Sequence, residues 1–470
     1  MVHSSTMFSE DTIAAISTAK GAGAIAIVRL SGPNAWKIMN AIFQPAPTAH
    51  DDGGTPIRSH KAIHGYINDP QSGSLVDEVV VIPYQGPNSY TGEDLVEINC
   101  HGGPIVTREI LDLCLSMGAR TARPGEFTER AFLAGKMDLT QAEAVLDLIQ
   151  AKTTRQRQLA VSALKGELGE RIKDIRSRLL DLLAEIVAGI DFPEEVGETP
   201  EDTIRSTVDE CAQKLEKLLK TYRSGRFLRE GMKVAIVGKP NAGKSSLLNR
   251  LLDFERAIVT DIPGTTRDAL EEELDIRGIP VVLVDTAGIR HTEDKVEKIG
   301  IERSHKAVEE SDLVLMVIEA ISDLNEEDKT IASLLSEKPY LLLANKIDLN
   351  PDFQFDSYAE LNGNNLVARF PISARTGQGI DDIAAEIEKF VLQDSSLRDA
   401  GGSLNARQNE LCLKAHHALK LVKQTLASRL PQDCLATDLK LAVDSLSEIC
   451  GEAVSEEVIG RVFANFCIGK

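Results

Sequence analysis

The segment Gly238-Lys-Pro-Asn-Ala-Gly-Lys-Ser245 restricts the fold more than any other stretch of this chain. It has the form G-x-x-x-x-G-K-[ST]. The apolar run Lys233-Val-Ala-Ile-Val237 precedes it, and the helical pattern Ser246-Leu-Leu-Asn-Arg-Leu-Leu252 follows it. Strand, glycine-rich loop and helix are the context of a phosphate-binding loop. Glycines let backbone N–H groups close around phosphate oxygens, and the helix adds its positive end. Asn241, Ala242, Gly243, Lys244, Ser245 and Ser246 are the expected contacts. Lys244 reaches the β- and γ-phosphates, and the Ser245 hydroxyl ligates Mg²⁺.

Three further motifs follow in order, and they select the base. Asp285-Thr-Ala-Gly288 closes the buried run Ile279-Pro-Val-Val-Leu-Val284, so Asp285, Thr286, Ala287 and Gly288 line the metal and γ-phosphate. Asn345-Lys-Ile-Asp348 follows the run Tyr340-Leu-Leu-Leu-Ala344. The Asp348 carboxylate only accepts hydrogen bonds; guanine offers it N1–H and a 2-amino group, and adenine offers neither. Ser373-Ala-Arg375 stands where guanine-binding proteins usually carry S-A-K, and it completes the base pocket with Asn345 and Lys346. The nucleotide is GTP.

The site departs from a small signalling GTPase. There a Gln after the D-x-x-G glycine orients the attacking water; here Ile289 stands at that place. The following segment offers Glu293, Asp294 and Glu297, either as water-orienting groups or as a solvated loop. The loop Thr260-Asp-Ile-Pro-Gly-Thr-Thr266 supplies Thr266 as the second hydroxyl ligand of Mg²⁺. Asn241 is open to two readings: a ligand of a monovalent cation that replaces an arginine finger, or a residue that only stabilises its loop.

Composition bounds the rest. Lys+Arg 52 against Asp+Glu 72 gives a net charge of −20, which argues against nonspecific wrapping of nucleic acid. Apolar content of 43% supports ordinary folded cores. The sequence has no long apolar span, no signal pattern at Met1-Val-His-Ser-Ser-Thr-Met7 and no C-x-x-C among 7 cysteines, so the expectation is a cytoplasmic, reduced protein off the membrane.

Strand-like runs at 24–30 and 75–83 with a helical pattern at 105–115 give an N-terminal α+β domain over 1–130. The stretch 50–56 reads as a surface loop. Asp138 and Gln141 resemble a capping box, and the stripe Ala142, Val145, Leu146, Ile149 reads as a core-facing helix side. A helical region over 131–225 is interrupted at 191–202, with the helical pattern resuming to about Tyr222. A doubly wound P-loop GTPase domain spans 226–392, and helix returns over 393–470 after a polar linker. The expected fold class is multidomain, α/β and α, with the GTPase domain inserted into a helical bundle.

These motifs, with Gly86-Pro-Asn-Ser-Tyr-Thr-Gly-Glu-Asp94, His101-Gly-Gly103, Ala122-Arg-Pro-Gly-Glu-Phe-Thr-Glu-Arg-Ala-Phe132, Lys136-Met-Asp-Leu139, Asn405-Ala-Arg407 and Phe466-Cys-Ile-Gly-Lys470, resemble the MnmE/TrmE family of tRNA modification GTPases over nearly the whole chain. The resemblance implies a homodimer that works on tRNA with a flavin-containing MnmG/GidA subunit. Together they would place an aminomethyl-type (carboxymethylaminomethyl) group on carbon 5 of the wobble uridine. It implies a tetrahydrofolate derivative, the 5,10-methylene or 5-formyl form, held by Arg29, Glu97, Lys136 and Lys470. It implies potassium at Asn241, Thr260, Ile262 and Thr265, in a loop where Asp261, Pro263 and Gly264 complete the GTP contacts, and it makes Glu297 the group that positions water. Without it, Arg29 and Lys136 read singly as surface charges. Cys467 is either a catalytic thiol or a buried small hydrophobe. Family members often read P-G-R-G-G near the first strand, where this chain has Ala19-Lys-Gly-Ala-Gly-Ala24. A ribosome-assembly or signalling GTPase, or a scaffold that hydrolyses GTP poorly, are the competing readings.

Overall fold

The computed structural model describes residues 11–47, 57–254, 272–284, 305–361, 363–392 and 403–470. It divides into two compact units, 1–146 with 447–470, and 147–446.

The first unit opens with β1 (Ile13–Ile16), β2 (Ile25–Ser31), α1 (Ala35–Ile42), β3 (Phe43–Pro45), β4 (Ile63–Asn68), β5 (Leu75–Tyr84), β6 (Leu95–His101), α2 (Pro104–Ser116), β7 (Arg120–Thr121) and α3 (Glu126–Leu133). The strands form one sheet in the order β3-β4-β5-β6-β2-β1-β7, antiparallel except for the β1–β7 pair. Alternate residues Ala26, Val28 and Leu30 of β2 point to one face with Val96, Ile98 and Cys100 of β6, and α1 and α2 cover them. The next helix, α4 (Leu139–Gln150), starts at the Asp138–Gln141 capping box: Gln141 N donates to Asp138 Oδ1 at 3.1 Å, and Asp138 N to Gln141 Oε1 at 3.0 Å. Ala142 of the expected stripe is buried, whereas Ile149 is exposed. The stretch 50–56 lies outside the described residues.

The second unit carries α5 (Thr154–Leu164), α6 (Glu167–Asp191), α7 (Glu201–Glu230), β8 (Met232–Val237), α8 (Lys244–Phe254), β9 (Glu272–Ile276), β10 (Ile279–Val284), β11 (Leu313–Glu319), α9 (Glu326–Ser333), β12 (Tyr340–Asn345), β13 (Leu366–Pro371), α10 (Ile380–Val391), α11 (Ala406–Ala427) and α12 (Gln432–Cys450), which ends in the first unit. The chain's last helix, α13 (Glu456–Ala464), and the tail after it belong to the first unit. The sheet order is β13-β12-β11-β8-β10-β9, parallel except for the β9–β10 hairpin. Its strands are buried on both sides: Val234, Ile236, Leu315, Val317, Leu341 and Leu343 pack into one core, Ala235, Val237, Met316, Ile318, Leu342 and Ala344 into another. That double burial is why these strands read as unbroken apolar runs.

Helix α7 runs to Glu230, past the expected end near Tyr222. Ser224 and Gly225 dilute the apolar period there, yet both are buried, and Phe227 and Leu228 enter the core of the sheet. Gly225 answers a close approach: a Cβ at that position would lie 1.8 Å from Ser403 Oγ. The helical layer grips the β9–β10 hairpin through α5. The Thr153 hydroxyl donates to Gly278 O at 2.7 Å, Lys152 pairs with Glu273, and Arg155 pairs with Glu388 of α10.

Candidate functional sites

In the second unit all parallel strands end on one edge, and the strand order reverses between β8 and β11. Ligands of doubly wound sheets bind outside such a switch point. The loop 238–244 leaves β8 there. Lys244 opens α8 and folds back onto its own loop, donating to Gly238 O at 2.7 Å and Lys239 O at 2.8 Å. Burial pushes its ammonium below the usual lysine range, and the two loop carbonyls offset part of that cost by accepting its hydrogen bonds. Ser245 and Ser246 stand in the first turn of α8, where the helix end favours anions. Asn241 is exposed and sits at φ +64, a left-handed conformation that Asn tolerates.

Asn345 is 2% exposed and ties the loops together. Its Nδ2 donates to Ala242 O at 2.8 Å, and its Oδ1 accepts from Ala374 N at 3.0 Å. Gly243 leaves room for this clamp: a Cβ there would lie 2.1 Å from Asn345 Nδ2, and φ is +99. Asp348 Oδ1 accepts from Ser373 Oγ at 2.7 Å, and Oδ2 lies 2.6 Å from Arg375 Nη2. The Ser373 hydroxyl first, and the Arg375 charge with it, hold Asp348 below the usual carboxylate range. Asp348 therefore carries an ionised acceptor pair at the start of the segment that follows β12. Arg375, the partner on Oδ2, is itself exposed. Sequence reasoning missed Arg250 of α8, which donates to Ala374 O at 3.0 Å and to Arg375 O, and so ties the base loop to the phosphate-loop helix. Only its place on the helix behind the loop hinted at this.

The remaining nucleotide and cation residues, Thr260, Asp261, Ile262, Pro263, Gly264, Thr265, Thr266, Asp285, Thr286, Ala287, Gly288 and Glu297, lie outside the described residues, as do Ile289, Glu293 and Asp294.

The first unit assembles a second constellation. The β2–β6 register sets Arg29 opposite Glu97, and the pair closes at 2.7 Å. Tyr84 Oη donates to Glu97 Oε2 at 3.4 Å. The Arg29 guanidinium lies over Tyr90 and Phe127, 5.7 and 5.6 Å from the ring centres. The tail reaches the same place: Arg29 Nη1 donates to Gly469 O at 3.4 Å, and Phe127 N to Lys470 O at 3.1 Å. Burial, and then the charge of Arg29, lower the Lys470 ammonium. Lys136 is held elsewhere, donating to Pro87 O at 2.8 Å in the loop that carries Tyr90. Cys467 is exposed, which removes its reading as a buried hydrophobe. Sequence reasoning missed Tyr84 and Phe127.

In the same unit, Arg130 is 7% exposed and meets Glu93 at 3.0 Å, Asp11 at 2.8 Å and Glu126 at 3.2 Å. Burial pushes Glu126 up. The hydrogen bond from Arg120, the Arg123 N–H and the nearby guanidinium charges outweigh it and bring Glu126 to about 2.

Comparison with known proteins agrees along the chain. The MnmE helical domain family matches residues 139–467, and the family described as GTP-binding protein TrmE N-terminus matches residues 12–136. A tRNA modification GTPase MnmE of Acetivibrio thermocellus is 43% identical over 99% of this chain and 100% of its own length. Another, of Carboxydothermus hydrogenoformans, is 44% identical over 98% and 100%. Among solved structures, Era in complex with MgGDPNP and nucleotides 1506-1542 of 16S ribosomal RNA is 27% identical, covers 40% of this chain and 66% of that one, and has a TM-score of 0.28.

Proposed function

The chain belongs to the MnmE family of tRNA modification GTPases, and on that premise we propose its chemistry: GTP hydrolysis that drives carboxymethylaminomethyl-type modification of carbon 5 of the wobble uridine of tRNA, with a flavin-containing MnmG/GidA subunit. The observation that carries the GTP half is the Asp348 carboxylate, ionised and presented beside a phosphate loop that Asn345 has already fixed. Ser245 with Thr266 would hold Mg²⁺. Asn241, Thr260, Ile262 and Thr265 would hold K⁺ and supply positive charge at the β/γ-phosphates. Glu297 would orient the water that Ile289 cannot.

The groups gathered around Arg29 support a reduced folate as the ligand. Glu97 supplies an acceptor for pterin donors, Tyr90 an aromatic face, and Lys470 a half-buried cation for the acidic tail. A bound tetrahydrofolate, in its 5,10-methylene or 5-formyl form, would supply a one-carbon unit. Lys136 would steady the loop of Tyr90, and the exposed Cys467 is retained as a catalytic thiol. The chain would act as a cytoplasmic homodimer; among the described residues no helix is long and apolar enough to cross a membrane.

Two measurements test this reading. Mass analysis of wobble uridines after deletion should show the modified nucleoside lost, and the full chain should restore it. Glu297→Ala should fail to restore it, with GTP turnover down on the order of a hundredfold and nucleotide affinity nearly intact. Unmodified tRNA in neither strain, or turnover unchanged in the variant, would overturn the proposal.

A further inference from the structure

Two lysines of the nucleotide site share one carboxylate. Lys239 stands in the phosphate loop directly after Gly238, and its side chain is only 9% exposed, which excludes a solvated surface charge. Its Nζ lies 3.5 Å from Glu319 Oε2 and 3.5 Å from Asp328 Oδ2, and donates to Ser322 Oγ at 3.0 Å. Lys346, between the Asn and the Asp of the base loop, pairs with the other oxygen, Glu319 Oε1. Burial alone would raise Glu319, but Lys346 and then Lys239 pull it below the usual carboxylate range. Lys346 has φ +71, a left-handed backbone that a side-chain anchor helps to hold.

Glu319 is placed to do this by the sheet. It ends β11 and lies in the parallel ladder beside Asn345, the last residue of β12. Its own backbone is fixed by that ladder, with the Tyr358 hydroxyl, which donates to Ser322 O, 3.2 Å from Glu319 O. On the far side, Asp328 belongs to the capping box of α9; its buried Oδ1 has no hydrogen-bond partner, so Asp328 holds Lys239 incompletely by itself.

We propose that Glu319 is a positioning residue that couples phosphate binding to base recognition. Each oxygen of its carboxylate holds one lysine, and this fixes the phosphate loop and the base loop at one separation. Asn345 joins the same loops through uncharged hydrogen bonds; Glu319 adds an electrostatic tie beside it. Without the tie, Lys239 keeps, among the described residues, Asp328 and Ser322, and the turn that presents Asp348 loses its anchor. The loss falls on ground state and transition state alike, so it appears in KM and not in kcat. The inference rests on the GTP reading above.

The test uses the full chain. Glu319→Gln keeps the shape and removes the charge. Affinity for a fluorescent GDP and the KM for GTP should weaken about tenfold, the scale of one charge-assisted hydrogen bond, with kcat changed by less than about twofold. Lys239→Ala and Lys346→Ala should be non-additive in GDP affinity with Glu319 present, and additive in the Glu319→Gln background. If circular dichroism shows Glu319→Gln unfolded, Glu319→Asp takes its place, because its shorter arm cannot span both lysines; the same loss of coupling is expected. Unchanged GDP affinity, a fall in kcat alone, or additive lysine variants in the parent chain would overturn the proposal. If the parent chain binds no guanine nucleotide, the GTP reading itself fails, a different result from Glu319→Gln binding as the parent does.

Discussion

The two candidate sites are built in opposite ways. The nucleotide site is made of short segments, each leaving the end of a neighbouring strand, and its side chains are set by backbone groups: carbonyls of Gly238 and Lys239 under Lys244, the Ala242 carbonyl and the Ala374 amide on Asn345. The Arg29 pocket is made of side chains far apart in sequence, Arg29, Glu97 and Lys470, brought together by strand register and a returning tail. A backbone site tolerates little change of main-chain path. A side-chain site depends on the charges that surround it. The difference yields three predictions, of decreasing size.

The largest effect is expected where a side chain enters the backbone site. Gly243→Ala puts a methyl against Asn345 Nδ2 and fixes an L-residue at φ +99. Left-handed strain of roughly 1–3 kcal/mol and a lost buried hydrogen bond of about 1–3 kcal/mol add to a predicted fall in GDP affinity of roughly a hundredfold or more. Folate affinity should stay as it is. Titration with a fluorescent GDP and with 5-formyl-tetrahydrofolate checks both; equal losses would show that the two sites do not differ in this way.

The next effect belongs to the charge cluster of Arg120, Glu126 and Arg130. Glu126 has a folded pKa of about 2 against an ordinary 4.5. A depressed carboxylate stabilises the fold above its unfolded pKa, and that contribution is lost as pH falls from about 4.5 towards about 2. The full difference is roughly 3 kcal/mol at neutral pH. Glu126→Gln should therefore lower the stability of the parent chain at pH 7, with the gap narrowing through this acid window. Denaturant unfolding at several pH values measures it; a gap that widens on acidification would contradict the assigned pairing.

The same contrast explains what the sequence made legible. The phosphate and base loops are contiguous motifs at the ends of buried strands, so spacing alone singled out Lys244, Asn345 and Asp348 as candidates. The expected end of α7 near Tyr222 falls short of Glu230 because Ser224 and Gly225 break the apolar period, and the close approach of Ser403 accounts for Gly225. The Arg29 pocket had no local signal at all. A cross-strand pair needs the register, and Tyr84, Phe127 and the tail need the tertiary fold; resemblance alone pointed to Arg29, Glu97 and Lys470. Arg250 and Glu319 were missed because a lone charge within a helix or at a strand end looks like any solvated residue.

The smallest predicted effect isolates one charge of the side-chain site. The Lys470 main chain is held by Phe127 N, so Lys470→Met should keep the tail in place and remove only the ammonium. An acidic folate tail then loses a partly screened partner, and affinity for 5-formyl-tetrahydrofolate should fall about fivefold at pH 7, the upper range for such a pair. A pterin without the glutamate tail should bind the variant and the parent alike. Burial and the Arg29 charge set the Lys470 pKa below the ordinary lysine value, so the ammonium is lost sooner on raising the pH than it would be in solvent. The fivefold gap should accordingly shrink as pH rises towards that range, because the parent chain also becomes neutral at Lys470. Calorimetric titration at stepped pH follows the gap. A gap that persists after Lys470 is neutral would assign the loss to packing, and an equal loss for the tail-less pterin would place Lys470 at the ring and not at the tail.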